Sequence, residues 1–157
     1  MRLREAIQQK RFPSAQFEAA ANVVYTGNWL VDQSMAIFKQ HDMNEQHYNI
    51  LRILRGSHPK TLSPSEIRNV MLNKRGDMTR LVDKLVKRGW VERSPCADNR
   101  RKVNLEITKA GLQMVEQLEV PLQSLNTIYE RLTPEEAATL SQLLDKLKIE
   151  PKHSDSV

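Results

Sequence analysis

SEIRNVMLNKRGDMTRLVDKLVKRGWVERSPCADNRRKVNLEIT, residues 65–108, decides how the rest of the chain is read. In its middle, Met78, Leu81, Val82 and Leu85 fall at i, i+3, i+4 and i+7, so they share one helical face. The spacing predicts a helix over about Arg75 to Arg88. Its other faces carry Arg75, Asp77, Thr79, Arg80, Asp83, Lys84 and Lys87. Gly89 supplies the stop that a helix C-terminus favours, and Lys87 and Arg88 suit the negative end of the dipole. Upstream, Ser63-Pro64-Ser65-Glu66 is a capping box with proline at the first helical position. It opens a short helix that should bury Ile67, Val70 and Met71, with Asn73 and Lys74 in the turn that follows. Downstream, Trp90–Arg93 and Lys102–Ile107 read as two strands, with Val103, Leu105 and Ile107 on one side. The tip joining them, Ser94 to Arg101, is polar and basic.

Helix, turn, helix and basic hairpin together form a DNA-reading arrangement. The major groove admits an α-helix, which the preceding helix braces, and the hairpin can carry arginine to the narrow, negative minor groove of A-tracts. In this docking mode Arg75, Asp77, Thr79 and Arg80 occupy the first turns, nearest the bases. Arg75 or Arg80 suits bidentate pairing with guanine, and Thr79 suits a thymine methyl or a phosphate. Asp77 suits cytosine N4, the orientation of a neighbouring arginine, or the positive helix N-terminus. Lys74, Lys84 and Lys87 suit phosphates, adding affinity and salt dependence without specificity. Arg100 and Arg101 are the strongest candidates of all, and Lys102 continues their basic run.

The stretch TRLVDKLVKRGWVERSPCADNRRKVNLEITKAG resembles the recognition helix and wing of the MarR family of bacterial transcription regulators. Its most specific parts are Asp98-x-Arg100-Arg101 and the following Leu-x-Ile-Thr-x-x-Gly. YNILRILRG, from Tyr48 to Gly56, resembles the helix preceding the reading head. The likeness is sharp over about residues 44–111 and architectural on either side. It implies that a wing arginine enters the minor groove and that Asp98 helps hold it. Where the family more usually has small polar residues, this chain has Gly76-Asp77, a departure that bears on which bases are preferred.

The net charge of +5 is unevenly spread. From Arg52 to Lys102 there are 14 basic and 5 acidic side chains, a net of +9, which leaves 10 basic and 14 acidic elsewhere, a net of −4. A contrast that coincides with the reading-head pattern marks a nucleic-acid footprint. The rival reading is a winged-helix adaptor that turns its basic face to an acidic protein. No apolar stretch approaches the roughly 20 residues of a membrane span, and Met1–Lys10 lacks the apolar run of a signal peptide. The single cysteine fits a reducing cytoplasm. His41, Glu45 and His47 do not converge as metal ligands, because a helix starts at Asn44 between them. With no Gly-rich phosphate loop and no catalytic constellation, neither an enzyme nor a cofactor is expected.

The flanks read as helical arms. Met1 to Gln9 forms one short helix, interrupted by Phe12-Pro13-Ser14. Ser14 caps a long helix over Ala15–Lys39, with Phe17, Val24, Val31 and Phe38 repeating every seven and Val23, Leu30 and Ile37 alongside. Gly27 and Asn28 weaken its middle. Asn44 caps a helix through Arg55, with Tyr48, Leu51 and Leu54 facing the core. After the hairpin, Thr108 caps a helix whose Val115, Leu118, Leu122, Leu125, Tyr129 and Leu132 make a second seam, which Pro121 should kink or divide. Thr133-Pro134-Glu135-Glu136 opens the last helix, with Ala137, Leu140, Leu144 and Leu147 as its stripe.

The expected organisation is therefore mainly α with a two-stranded wing. A dimerisation arm spans 1–43, a winged helix–turn–helix 44–108, dimerisation helices 109–150, and a disordered tail 151–157. Seams this long suit a homodimer, as the resemblance also implies. Its two-fold axis would set two recognition helices ~34 Å apart on a pseudo-palindromic operator in double-stranded DNA. The resemblance implies repression, relieved by a small aromatic effector or by oxidation. Tyr25, Trp29, Met35 and Tyr48 are candidates to line an effector pocket. Cys96, beside the basic tip, is the candidate redox residue.

Overall fold

The computed structural model describes residues 2–96 and 103–148, in two compact units, Met1–Gln123 and Ser124–Val157. The expected tail, 151–157, lies outside the described residues. In the first unit, α1 (Leu3–Ala6) precedes α2 (Ala15–Lys39), α3 (Glu45–Ser57), α4 (Pro64–Val70) and α5 (Met78–Lys87). Strands β1 (Val91–Pro95) and β2 (Val103–Ile107) follow, then α6 (Lys109–Gln123). The second unit holds α7 (Asn126–Tyr129) and α8 (Pro134–Leu147).

The helix starts are set by side-chain caps. Ser14 accepts from the Phe17 N–H, Asn44 from His47, Ser63 from Glu66 and Thr133 from Glu136. In the α3 cap a histidine completes the reciprocal pair: His47 Nδ1 accepts the Asn44 N–H at 3.1 Å. α2 runs through Gly27 without a break, and α3 extends to Ser57, two residues beyond the expected end. Pro121 lies inside α6, which ends two residues later.

The core of the first unit gathers Ile50, Leu51 and Leu54 of α3 with Ile67, Met78, Val82 and Leu85 of the reading helices. Leu105 and Ile107 of β2, Phe38 of α2, and Val115 and Leu118 of α6 close it. Tyr48 lies at its edge, its ring 5.2 Å from that of Phe38. Val70 is the exception to the expected pattern. It is 63% exposed, because α4 ends there and the chain turns extended at Met71, which is buried as expected.

The two strands pair antiparallel, Val91 with Ile107 through Pro95 with Val103. Trp90 belongs to neither and is buried in the core. A third chain segment joins them at one point. Leu62 donates to the Leu105 carbonyl at 3.0 Å and accepts from its N–H at 2.8 Å. Thr108 closes the hairpin's base. Its hydroxyl donates to the Gly89 carbonyl and accepts from the Gly111 N–H, while its own N–H reaches Trp90.

Candidate nucleic-acid interface

The recognition helix begins later than the spacing suggests. α5 starts at Met78, not Arg75, because Gly76 takes φ +100°, a left-handed backbone that ends helical continuity upstream. Arg75 therefore sits in the turn before the helix rather than in its first turns. Asp77 is the N-cap: its Oδ1 accepts from the Thr79 N–H at 2.9 Å and the Arg80 N–H at 3.3 Å. A carboxylate held this way satisfies two of the helix's free N–H donors and faces the positive end of its dipole.

Met78, Leu81, Val82 and Leu85 are buried, as their spacing requires, which turns the opposite side of α5 outward. Lys74, Arg75, Asp77, Thr79 and Arg80 are all exposed and nearly consecutive around the helix start. Lys84 is half-buried and paired with Asp42 at 2.8 Å, and the ammonium's hydrogen bond holds that carboxylate below its ordinary range. Arg88 donates to the His41 carbonyl and lies over the Trp90 ring, 4.8 Å from its centroid. The corner between α2 and α3 thus grips the C-terminal half of α5. On β1, Arg93 pairs with Asp83 of α5.

The wing candidates Asp98, Arg100, Arg101 and Lys102 lie outside the described residues. Cys96, the residue after β1, is partly exposed and is a free thiol.

The turn before α5 has partners that helical periodicity does not signal. Gln46 Nε2 donates to the Arg75 carbonyl, Asn49 Oδ1 accepts from the Leu72 N–H at 3.0 Å, and Arg68 donates to the Gly76 carbonyl at 3.3 Å. These side chains stand on α3 and α4, outside the recognition helix. Polar residues at i and i+3 on α3, away from its apolar stripe, were the available hint.

A half-open cavity of about 220 Å³ lies beside this turn. Val31, Met35 and Phe38 of α2 form its apolar wall; Asn44, Glu45 and Gln46 of α3 and Asn73 of the turn form the polar one. Of the four expected pocket residues, only Met35 lines it. Tyr48 packs against Phe38 instead.

The fold that carries these residues is shared with known proteins. A model of the MarR family matches residues 43–103. A MarR transcription factor from Planctomyces limnophilus has 34% identity, with a TM-score of 0.64, over 87% of this chain and 97% of that one. The chain belongs to the MarR family. The transcriptional repressor MprA of Escherichia coli (strain K12) is 25% identical over 143 residues, 90% of this chain and 81% of that protein. A mutant MarR from E. coli, complexed with operator DNA, has the same fold. Its TM-score is 0.75 at 24% identity, over 95% of this chain and all of that one. The mainly α winged helix–turn–helix with its two-stranded sheet is thus the family's architecture. Among the described residues no helix is long and apolar enough to cross a membrane.

Proposed function

We propose that this MarR-family regulator represses transcription as a homodimer bound to a pseudo-palindromic operator, in the cytoplasm. One observation carries the reading: Lys74, Arg75, Thr79 and Arg80 are exposed together at the start of a helix whose other face is anchored in the core. Arg75, Thr79 and Arg80 contact base edges, Lys74 contacts phosphate, and Asp77 acts by capping the helix that presents them. The wing arginines Arg100 and Arg101, with Lys102, contact the adjacent minor groove, and Asp98 helps hold the arginine that enters it. The DNA-bound state of the E. coli MarR mutant, which shares this fold, supports the docking mode.

Relief of repression is assigned to a small effector or to oxidation of Cys96. The cavity between α2 and the turn supports the first. Its lining includes the Glu45 carboxylate and, among the described residues, no Lys or Arg, which favours an uncharged or cationic aromatic over an acid. A thermal-shift screen of phenols, amines and phenolic acids should show stabilisation by the first two classes. Peroxide treatment that leaves DNA affinity intact would exclude Cys96.

Selection from a random duplex pool, followed by a salt titration, tests the function. Affinity for the selected site should fall steeply with salt. Arg80→Ala should cost about 1–3 kcal/mol with relaxed base preference. Arg101→Ala should weaken binding at the minor-groove position. A chain that ignores duplex DNA at low salt and captures an acidic protein is an adaptor instead.

A further inference from the structure

We infer that Gln46 of α3 is a positioning residue for DNA reading, acting through the Arg75–Gly76 peptide; the inference rests on the DNA-reading function proposed above. Between Met71 and Asp77 the chain is in neither helix; within it Asn73 Oδ1 accepts from the Arg75 N–H at 3.0 Å, and side chains of α3 and α4 hold the carbonyls that follow. Gln46 donates to the Arg75 carbonyl and Arg68 to the carbonyl of Gly76, the next one along. Each bond orients its own peptide plane, and the two together fix the backbone angles of Gly76 between them. The first plane follows Arg75 and helps set the direction of its side chain; the second delivers Asp77 to its capping position. Gln46 also lies close to where a side chain at Gly76 would project. A Cβ on Gly76 would lie 3.3 Å from its Nε2, at a φ of +100° that side chains rarely adopt. The amide therefore holds the reading turn by its bond to the Arg75 carbonyl, while its own helix is rooted in the core through Ile50, Leu51 and Leu54.

The test uses the full chain with Gln46→Met, which keeps the length and removes the donor, and Gln46→Ala. Neither changes the charge, and Gln46 is not buried, so both variants fold. Amide exchange without DNA should accelerate over residues 72–80. Affinity for the operator selected with the wild type should drop about tenfold, the loss of one hydrogen bond's worth of order. Affinity for non-specific duplex and its salt slope should hold, and a new selection should return weaker preference at the bases nearest the helix start. A change in base preference is the readout that a merely stabilising residue would not move. Gln46→Met binding that operator with wild-type affinity and preference would overturn the inference. A wild-type chain that selects no sequence overturns the DNA-reading function itself, and with it this role, before any variant is compared.

Discussion

Two residues show how much one position carries. Gly111 closes the motif Leu-x-Ile-Thr-x-x-Gly, and the structure supplies its reason: a Cβ there would lie 2.2 Å from the Trp90 carbonyl oxygen and 2.7 Å from Ile107 Cγ1. Backbone cannot move aside as a side-chain tip can. Gly111→Ala should cost about 1–3 kcal/mol or abolish folding, read from urea denaturation. His47 is buried, and its Nδ1 must be unprotonated to accept the Asn44 N–H. Burial, then the nearby Lys84, push it below its ordinary 6.5, against a smaller opposing pull from Asp42. The unfolded chain therefore takes up this proton first as the pH falls. Stability from this group is complete above about pH 6.5 and declines below it, levelling off beneath the folded-state value. Denaturation midpoints at about pH 7.5 and about pH 5.5 should differ more in the wild type than in His47→Gln, which cannot titrate in that range.

Among the elements, the recognition helix is the instructive case. Its buried stripe was legible, because Met78, Leu81, Val82 and Leu85 keep helical spacing. Its start was not. Periodicity has no apolar residue to register before Met78, and Gly76 and Asp77 compete for the boundary. Only the left-handed Gly76 and the two bonds to Asp77 resolve it. Val70 fails for a related reason: helical spacing was extended through a residue where the helix ends. Leu62's pairing with Leu105 joins residues far apart in the chain, which no local pattern reports. The capping role of Asp77 is separable from its charge. Asp77→Ala should destabilise by about 1 kcal/mol, whereas Asp77→Asn, which still accepts from the backbone, should stay near the wild type. Thermal unfolding of the two variants side by side decides it. Equal losses would mean that the carboxylate's charge, not its cap, is what matters.

At the scale of the whole molecule, only the end of the heptad column on α2 meets this chain's own core. Phe38 is buried, while Phe17, Val24 and Val31 stay exposed. On α8, Leu140, Leu143 and Leu147 are exposed as well. Apolar surface of this extent is costly to leave in water, and a second copy of the chain is the occupant we propose. Val24→Asp should convert the dimer to monomer in sedimentation velocity at micromolar concentration, and weaken operator binding through the loss of paired half-sites. A wild type that sediments as a monomer removes the dimer and the palindrome together.

The root of the hairpin has a further implication, for variation in length. Leu62 clamps β2 from outside, Thr108 ties Gly89 of the helix–strand corner to Gly111 at the start of α6, and Gly111 fits against Trp90 with no room to spare. An inserted residue anywhere between Gly89 and Val91, or between Ile107 and Gly111, would have to break one of these fastenings. Insertions beyond the Pro95–Val103 pair meet none of them, so natural size differences among related hairpins should concentrate there.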